Sequence, residues 1–168
     1  MLAALSFASV LAAAGPAGAQ AVTPAAAEAL AAPPGCAAVL TDPCLRTMLG
    51  QLGLAPKPLT HGYLIVVPHG TWTINVQALV SENGRKLGLN SNLGLVTESE
   101  VSGVQWKALL AANADLDPSY FYYNPSQTKL YMHRSFDTRQ VTPAGLLREL
   151  TSFADGVASS GDLWKFTH

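Results

Sequence analysis

Three histidines, His61, His69 and His133, are the side chains of this sequence best suited to serve as general bases or metal ligands, because imidazole titrates close to neutral pH. Their spacing gives them no common partner. His61 and His69 bracket one short apolar run and His133 falls in a later hairpin, so the sequence reads them as surface or turn residues. Asn113, Asp115 and Asp117 imitate the opening of a calcium loop, but Pro118 stands where the sharp-turn glycine belongs and Asn124 where a bidentate glutamate belongs. The sequence contains no GxSxG elbow, and the Gly88 to Gly94 stretch lacks the Lys-Ser/Thr that would make it a phosphate loop. No catalytic, cofactor-binding or metal-binding residue is predicted, and the chain reads as non-enzymatic. The competing class is a small extracytoplasmic ligand-binding sensor or hydrolytic enzyme, whose sign would be a deep polar pocket around His61, His69 or His133.

Cys36 and Cys44 are too far apart for a CxxC redox pair, and two cysteines cannot complete a structural zinc site. An even count in an exported chain predicts a bridge, and closing so short a loop is worth roughly 2 to 3 kcal/mol. Export is itself read from Met1 to Ala21, where an apolar stretch from Leu2 to Ala14 is followed by Gly15-Pro16 and small residues around Ala19 and Ala21. That run is short for a helix spanning a bilayer about 30 Å thick, so a cleaved secretory leader is expected, and no stable membrane insertion after its removal. No Lys or Arg precedes the apolar run, which departs from the usual charged start. Residues 22–41 form an Ala/Pro-rich segment, expected to be a mobile spacer because Pro33-Pro34 stops any helix and large apolar residues for docking are few. The predicted destination is periplasmic or extracellular.

Aromatic residues crowd the C-terminal third: Tyr120, Phe121, Tyr122 and Tyr123 in succession, Tyr131 in the next run, and Trp164 and Phe166 in the tail. A strand turns alternate side chains to opposite faces, so one set must point away from the core. Tyr120, Tyr122, Tyr131 and Trp164 are therefore candidates for a partner surface, since Tyr and Trp join large apolar area to a polar tip. Packing of the tail over the sheet would explain them equally well. Ten basic residues against eleven acidic ones leave a net charge of -1, which gives nucleic acid no electrostatic footprint.

The elements that would position these residues are legible from Asp42 onward. Asp42-Pro43 reads as an N-cap and first helical turn, and Leu45, Met48, Leu49 and Leu52 repeat at helical spacing. Tyr63 to Val67 reads as a buried strand ended by Pro68. Trp72, Ile74, Val76, Ala78 and Val80 alternate with polar residues, and Asn83-Gly84 suits a type I′ turn into a returning strand carrying Leu87 and Leu89. Val101, Ser102, Gln105 and Trp106 have the spacing of a staple and capping box, opening a helix that closes at Asp115 to Pro118. Tyr120 to Tyr123 and Leu130 to Arg134 form a hairpin, and Thr142-Pro143 caps a final helix with an apolar stripe from Leu146 to Val157. The result is one α+β domain over residues 42–168, an antiparallel sheet with helices in the order α-β-β-β-α-β-β-α.

That order, the Trp106 to Asn113 segment, the Tyr120 to Arg134 hairpin and the Val141 to Leu147 helix entry together resemble the small α+β domain of type III secretion chaperones and YbjN-like proteins. The resemblance covers roughly Asp42 to Val157. It implies a homodimer that holds partner polypeptides across apolar patches without cofactor or catalysis, hence a protein-binding or chaperone-like module. It offers no position-by-position site motif, and its apparent leader and balanced charge set this chain apart from the acidic, cytoplasmic chaperones.

Overall fold

The computed structural model describes residues 22–36, 39–96, 103–139 and 141–164. The leader segment 1–21, the staple and cap residues Val101 and Ser102, and Phe166 lie outside them. The elements follow one another as α1 (Pro24–Glu28), α2 (Asp42–Gln51), β1 (Lys57–Pro58), β2 (Tyr63–His69), β3 (Trp72–Val80), β4 (Lys86–Leu95), α3 (Gly103–Asp115), β5 (Ser119–Asn124), β6 (Lys129–Asp137), α4 (Pro143–Ser159) and α5 (Gly161–Trp164). The six strands make one antiparallel sheet in the order β1-β2-β3-β4-β6-β5. The α-β-β-β-α-β-β-α core order read from the sequence is present, with α1, β1 and α5 added to it.

The longest helix organises the core. Thr142 caps α4 by accepting from the Gly145 N–H at 3.1 Å, Pro143 occupies the first turn, and the stripe Leu146, Leu150, Phe153, Ala154 and Val157 is buried against β2, β3 and β4. From the sheet, Ile65, Val76, Ala78, Leu87, Leu89 and Met132 meet it with no exposed surface. Arg134 ties α4 to β6, its guanidinium lying 2.6 Å from a Glu149 carboxylate oxygen and donating to Ser152 Oγ at 3.0 Å. Packing of α2 against α4 through Leu45, Met48 and Leu49 extends the same core.

Several local expectations are corrected. The N-cap of α2 is Thr41, which accepts from the Cys44 N–H, and Asp42 sits one place inside, where its carboxylate still complements the helix dipole. β2 does not stop at Pro68 but runs to His69, because β1 covers only Tyr63 and Leu64 and the rest of β2 is an edge that tolerates a residue without an N–H. Nor is β2 buried on both sides, since Val66 is 43% exposed on the face that α4 leaves open. The Asn83-Gly84 turn is not type I′, as Gly84 alone has a positive φ of +66°. A turn over Glu82 and Asn83, closed by Gly84 N–H to the Ser81 carbonyl at 2.8 Å, places Gly84 against Val39 and Leu40, where a Cβ would collide.

Residues 22–36, expected to be mobile, dock instead. Ala27 is fully buried, Val22 and Leu30 pack against the core, and Glu28 meets Arg148 of α4 at 3.1 Å. A small side chain suffices there because α1 lies close against α4. Cys36 and Cys44 form a disulfide with Cα atoms 5.6 Å apart, joining this segment to the first turn of α2.

Candidate functional site

The face of the sheet turned away from α4 carries the aromatic residues. Strand register dictates which ones: Tyr120 stands opposite His133, and Tyr122 opposite Tyr131, while Phe121 and Met132 between them point to the core. On the other side of β6, Asn90 stands opposite His133 and Asn92 opposite Tyr131. Three adjacent strands thus bring three tyrosines, one imidazole and two amides into one patch.

Its rings touch in sequence. Tyr122 and Tyr131 are stacked, with centroids 5.2 Å apart and planes 12° from parallel, and Tyr120 lies tilted against His133 at 5.2 Å. Tyr120 and Tyr122 are 6.4 Å apart along β5, and Tyr122 meets the His133 ring nearly edge-on at 6.3 Å. Tyr131 is largely covered and its hydroxyl donates to Gln127 Oε1, whereas Tyr120 is 43% exposed. His133 Nδ1–H donates to Asn90 Oδ1 at 2.7 Å, and the ring lies over Gly88, where a Cβ would come within 3.3 Å of His133 Cε1. Burial lowers the His133 pKa, since the charged imidazolium gives up water. Burial raises that of Tyr122, helped by Tyr131 and Tyr120 beside it. The patch joins stacked and tilted rings to hydrogen-bonding tips.

Trp164 stands apart from it. Its ring packs at 5.6 Å against Trp72 at the end of β3, and its indole N–H donates to the Val157 carbonyl at 3.3 Å. The other two histidines among the described residues stand apart too: His69 Nε2 lies 2.9 Å from Asp155 Oδ1, linking β2 to α4, and His61 precedes β2 in an exposed turn. Among the described residues no three His, Cys, Asp or Glu side chains gather as metal ligands, and no helix is long and apolar enough to cross a membrane. Asn113, considered above as the start of a calcium loop, is committed elsewhere. Its Oδ1 accepts from the Phe121 N–H at 2.7 Å and its Nδ2 donates to the Phe121 carbonyl at 3.3 Å. This amide covers the free edge of β5 as a neighbouring strand would. The sequence signals neither this clamp nor the Asn90–His133 pair, because both join residues from separate elements. Alternation did signal the shared face of Tyr120, Tyr122 and Tyr131.

No family model matches the chain, and no curated protein sequence matches it. Solved structures do. A structure of the ExsC–ExsE complex matches with a TM-score of 0.53 at 15% identity, covering 73% of this chain and 92% of the other. YbjN from E. coli matches with a TM-score of 0.54 at 15% identity, covering 68% of this chain and 84% of the other. The heterodimeric ExoU–SpcU complex from the type III secretion system of Pseudomonas aeruginosa matches with a TM-score of 0.52 at 17% identity, covering 73% and 99%. At such identities the likeness is one of fold.

Proposed function

We propose that this chain, which has the type III secretion chaperone-like fold, is a non-catalytic protein-binding module that works outside the cytoplasm and takes its partner on the open face of the sheet. The carrying observation is the continuous platform of Tyr120, Tyr122, Tyr131 and His133 with Asn90 and Asn92 at its side. Tyrosine offers large, rigid, amphipathic contact area at low entropic cost, and asparagine adapts its hydrogen bonds, which is the chemistry of surfaces that recognise proteins. Two of the matching structures, ExsC–ExsE and ExoU–SpcU, are complexes between proteins, which supports the same reading. The disulfide supports an oxidising compartment, in keeping with the apolar, small-residue start of the sequence. A homodimer accords with the resemblance, each protomer presenting one open face.

The test is cross-linking of tagged protein in its extracytoplasmic fraction, with capture and mass spectrometry of what is joined to it. The wild type is expected to yield a small set of polypeptides that the double variant Tyr120→Ala, Tyr122→Ala does not. Recovery of the same set from a folded double variant would remove the open face as the partner surface.

A further inference from the structure

β2 and β3 stay paired from Tyr63 and Ala78 to His69 and Trp72, and β4 stays paired with β6 along its length. β3 and β4 pair with each other only from Gln77 with Asn90 to Val80 with Leu87. The sheet is therefore two halves joined by a short seam. Beyond the seam the strands diverge, and the wedge between them is a cleft of about 150 Å³. Trp72, Ile74, Val157 and Trp164 line it together with the buried Ser91, and Thr73, Asn75 and Asn92 add exposed polar groups. No ionisable side chain lines it among the described residues.

Size decides what could enter. Sites for cofactors and drug-sized ligands run from about 300 to 1,000 Å³. This cleft has room for one amino-acid side chain, and its amides and hydroxyl can pair with the N–H and C=O groups that flank such a side chain in a polypeptide. Its position decides the rest: Trp72, Ile74 and Val157 line it from the side of α4, whereas Thr73, Asn75 and Asn92 hold the open-face positions of their strands, and Asn92 is the register partner of Tyr131, so the polar end of the cleft borders the row Tyr122, Tyr131, Asn92. We infer that the cleft between β3 and β4 is an anchor pocket for one uncharged apolar side chain of an extended partner segment whose neighbouring residues lie over Asn92 and Tyr131. This rests on the open face being the partner surface, and it gives Trp164 a part in recognition as a wall of the pocket.

The experiment selects peptides from a displayed random twelve-residue library on the wild-type protein and measures their affinity for two variants by fluorescence polarisation. Thr73→Glu places a carboxylate at the cleft mouth from an exposed position, and Tyr122→Ala removes a ring from the platform. Unchanged melting temperature and near-ultraviolet circular dichroism establish that each variant is folded. Selected peptides are expected to share one apolar residue, to lose at least tenfold in affinity with Thr73→Glu, and to lose affinity with Tyr122→Ala as well. Peptides sensitive to Tyr122→Ala but not to Thr73→Glu would overturn the anchor pocket and leave the open-face reading standing. Insensitivity to both, or no enriched peptide, would overturn both. Binding that appears only after deletion of residues 165–168 would overturn the pocket as a partner site and assign it to the chain's own tail.

Discussion

The two faces of one sheet are built from the same strands and do opposite work. Leu130, Met132 and Arg134 of β6 share the covered face, Leu130 beside α3 and Met132 and Arg134 against α4, with Met132 wholly buried, while Tyr131 and His133 between them look outward. On the covered face aliphatic side chains interlock with Phe153 and its neighbours. On the open face rings and amides meet one another. Removing apolar surface from water is worth roughly 25 cal/mol per Å², so the covered face carries stability and the open one keeps area available for association. A single strand thus encodes both tasks through its two-residue period.

The sharpest way to break this contrast is to excavate the covered face. Phe153→Ala should destabilise the protein by about 3 to 5 kcal/mol, because a fully buried ring is lost and its site cannot collapse under a close-packed sheet. Urea denaturation measures it, and a loss under about 1 kcal/mol would mean that α4 is not the core element described.

The disulfide comes next in size. Cys36→Ser with Cys44→Ser should cost roughly 2 to 3 kcal/mol, since the bridge ties the docked N-terminal segment to α2 on the covered side. The same loss should appear when the wild type is unfolded in the presence of reductant, and a double-serine variant indifferent to reductant is the control. Equal stability of reduced and oxidised wild type would show that the segment holds its place without the bridge.

Tyr122→Ala tests the other face. A cross-strand aromatic pair contributes about 0.2 to 1 kcal/mol to a sheet, so the variant should remain folded with only that loss. Partner capture should nevertheless fall sharply. Loss of stability on the scale of Phe153→Ala, with association intact, would make Tyr122 a core residue and remove the distinction between the faces.

How far this contrast can be read from sequence follows from the range of each interaction. Period-two alternation in Trp72 to Val80 and helical repetition in Leu146 to Val157 are local, and they place both elements and their buried sides correctly. Tyr120, Tyr122 and Tyr131 share a face because alternation within a hairpin is also local. What escaped depends on contacts distant in sequence. The docking of Ala27 needs α4, the clamp of Asn113 needs the exposed edge of β5, and the split beside Trp72 needs the separate loyalties of β3 to β2 and of β4 to β6. Trp164 could not be assigned to either face because its packing depends on Trp72 at the far end of that split.

The smallest expected effect belongs to pH and isolates the open face. Burial holds the His133 pKa below its ordinary value of 6.5, so the unfolded chain binds a proton that the folded one resists. This stability contribution is present above pH 6.5 and is lost as pH falls below it toward the folded value. The Asn90 contact already uses the Nδ1 proton, so the added proton goes to Nε2, among Tyr120 and Tyr122 and with no carboxylate paired to it. The charged residues on this face of β4 and β6, Lys86, Lys129 and Asp137, stand four strand positions away at the strand ends, with Asp137 paired to Arg139. His133→Gln keeps a side-chain donor but cannot titrate. Its urea midpoint should therefore decline less steeply than that of the wild type between pH 7.5 and 5. His69, paired with Asp155 at the border of the covered face, and the exposed His61 are common to both proteins and drop out of the difference. Identical slopes would mean that the platform is open enough to water for the imidazolium to form there without cost.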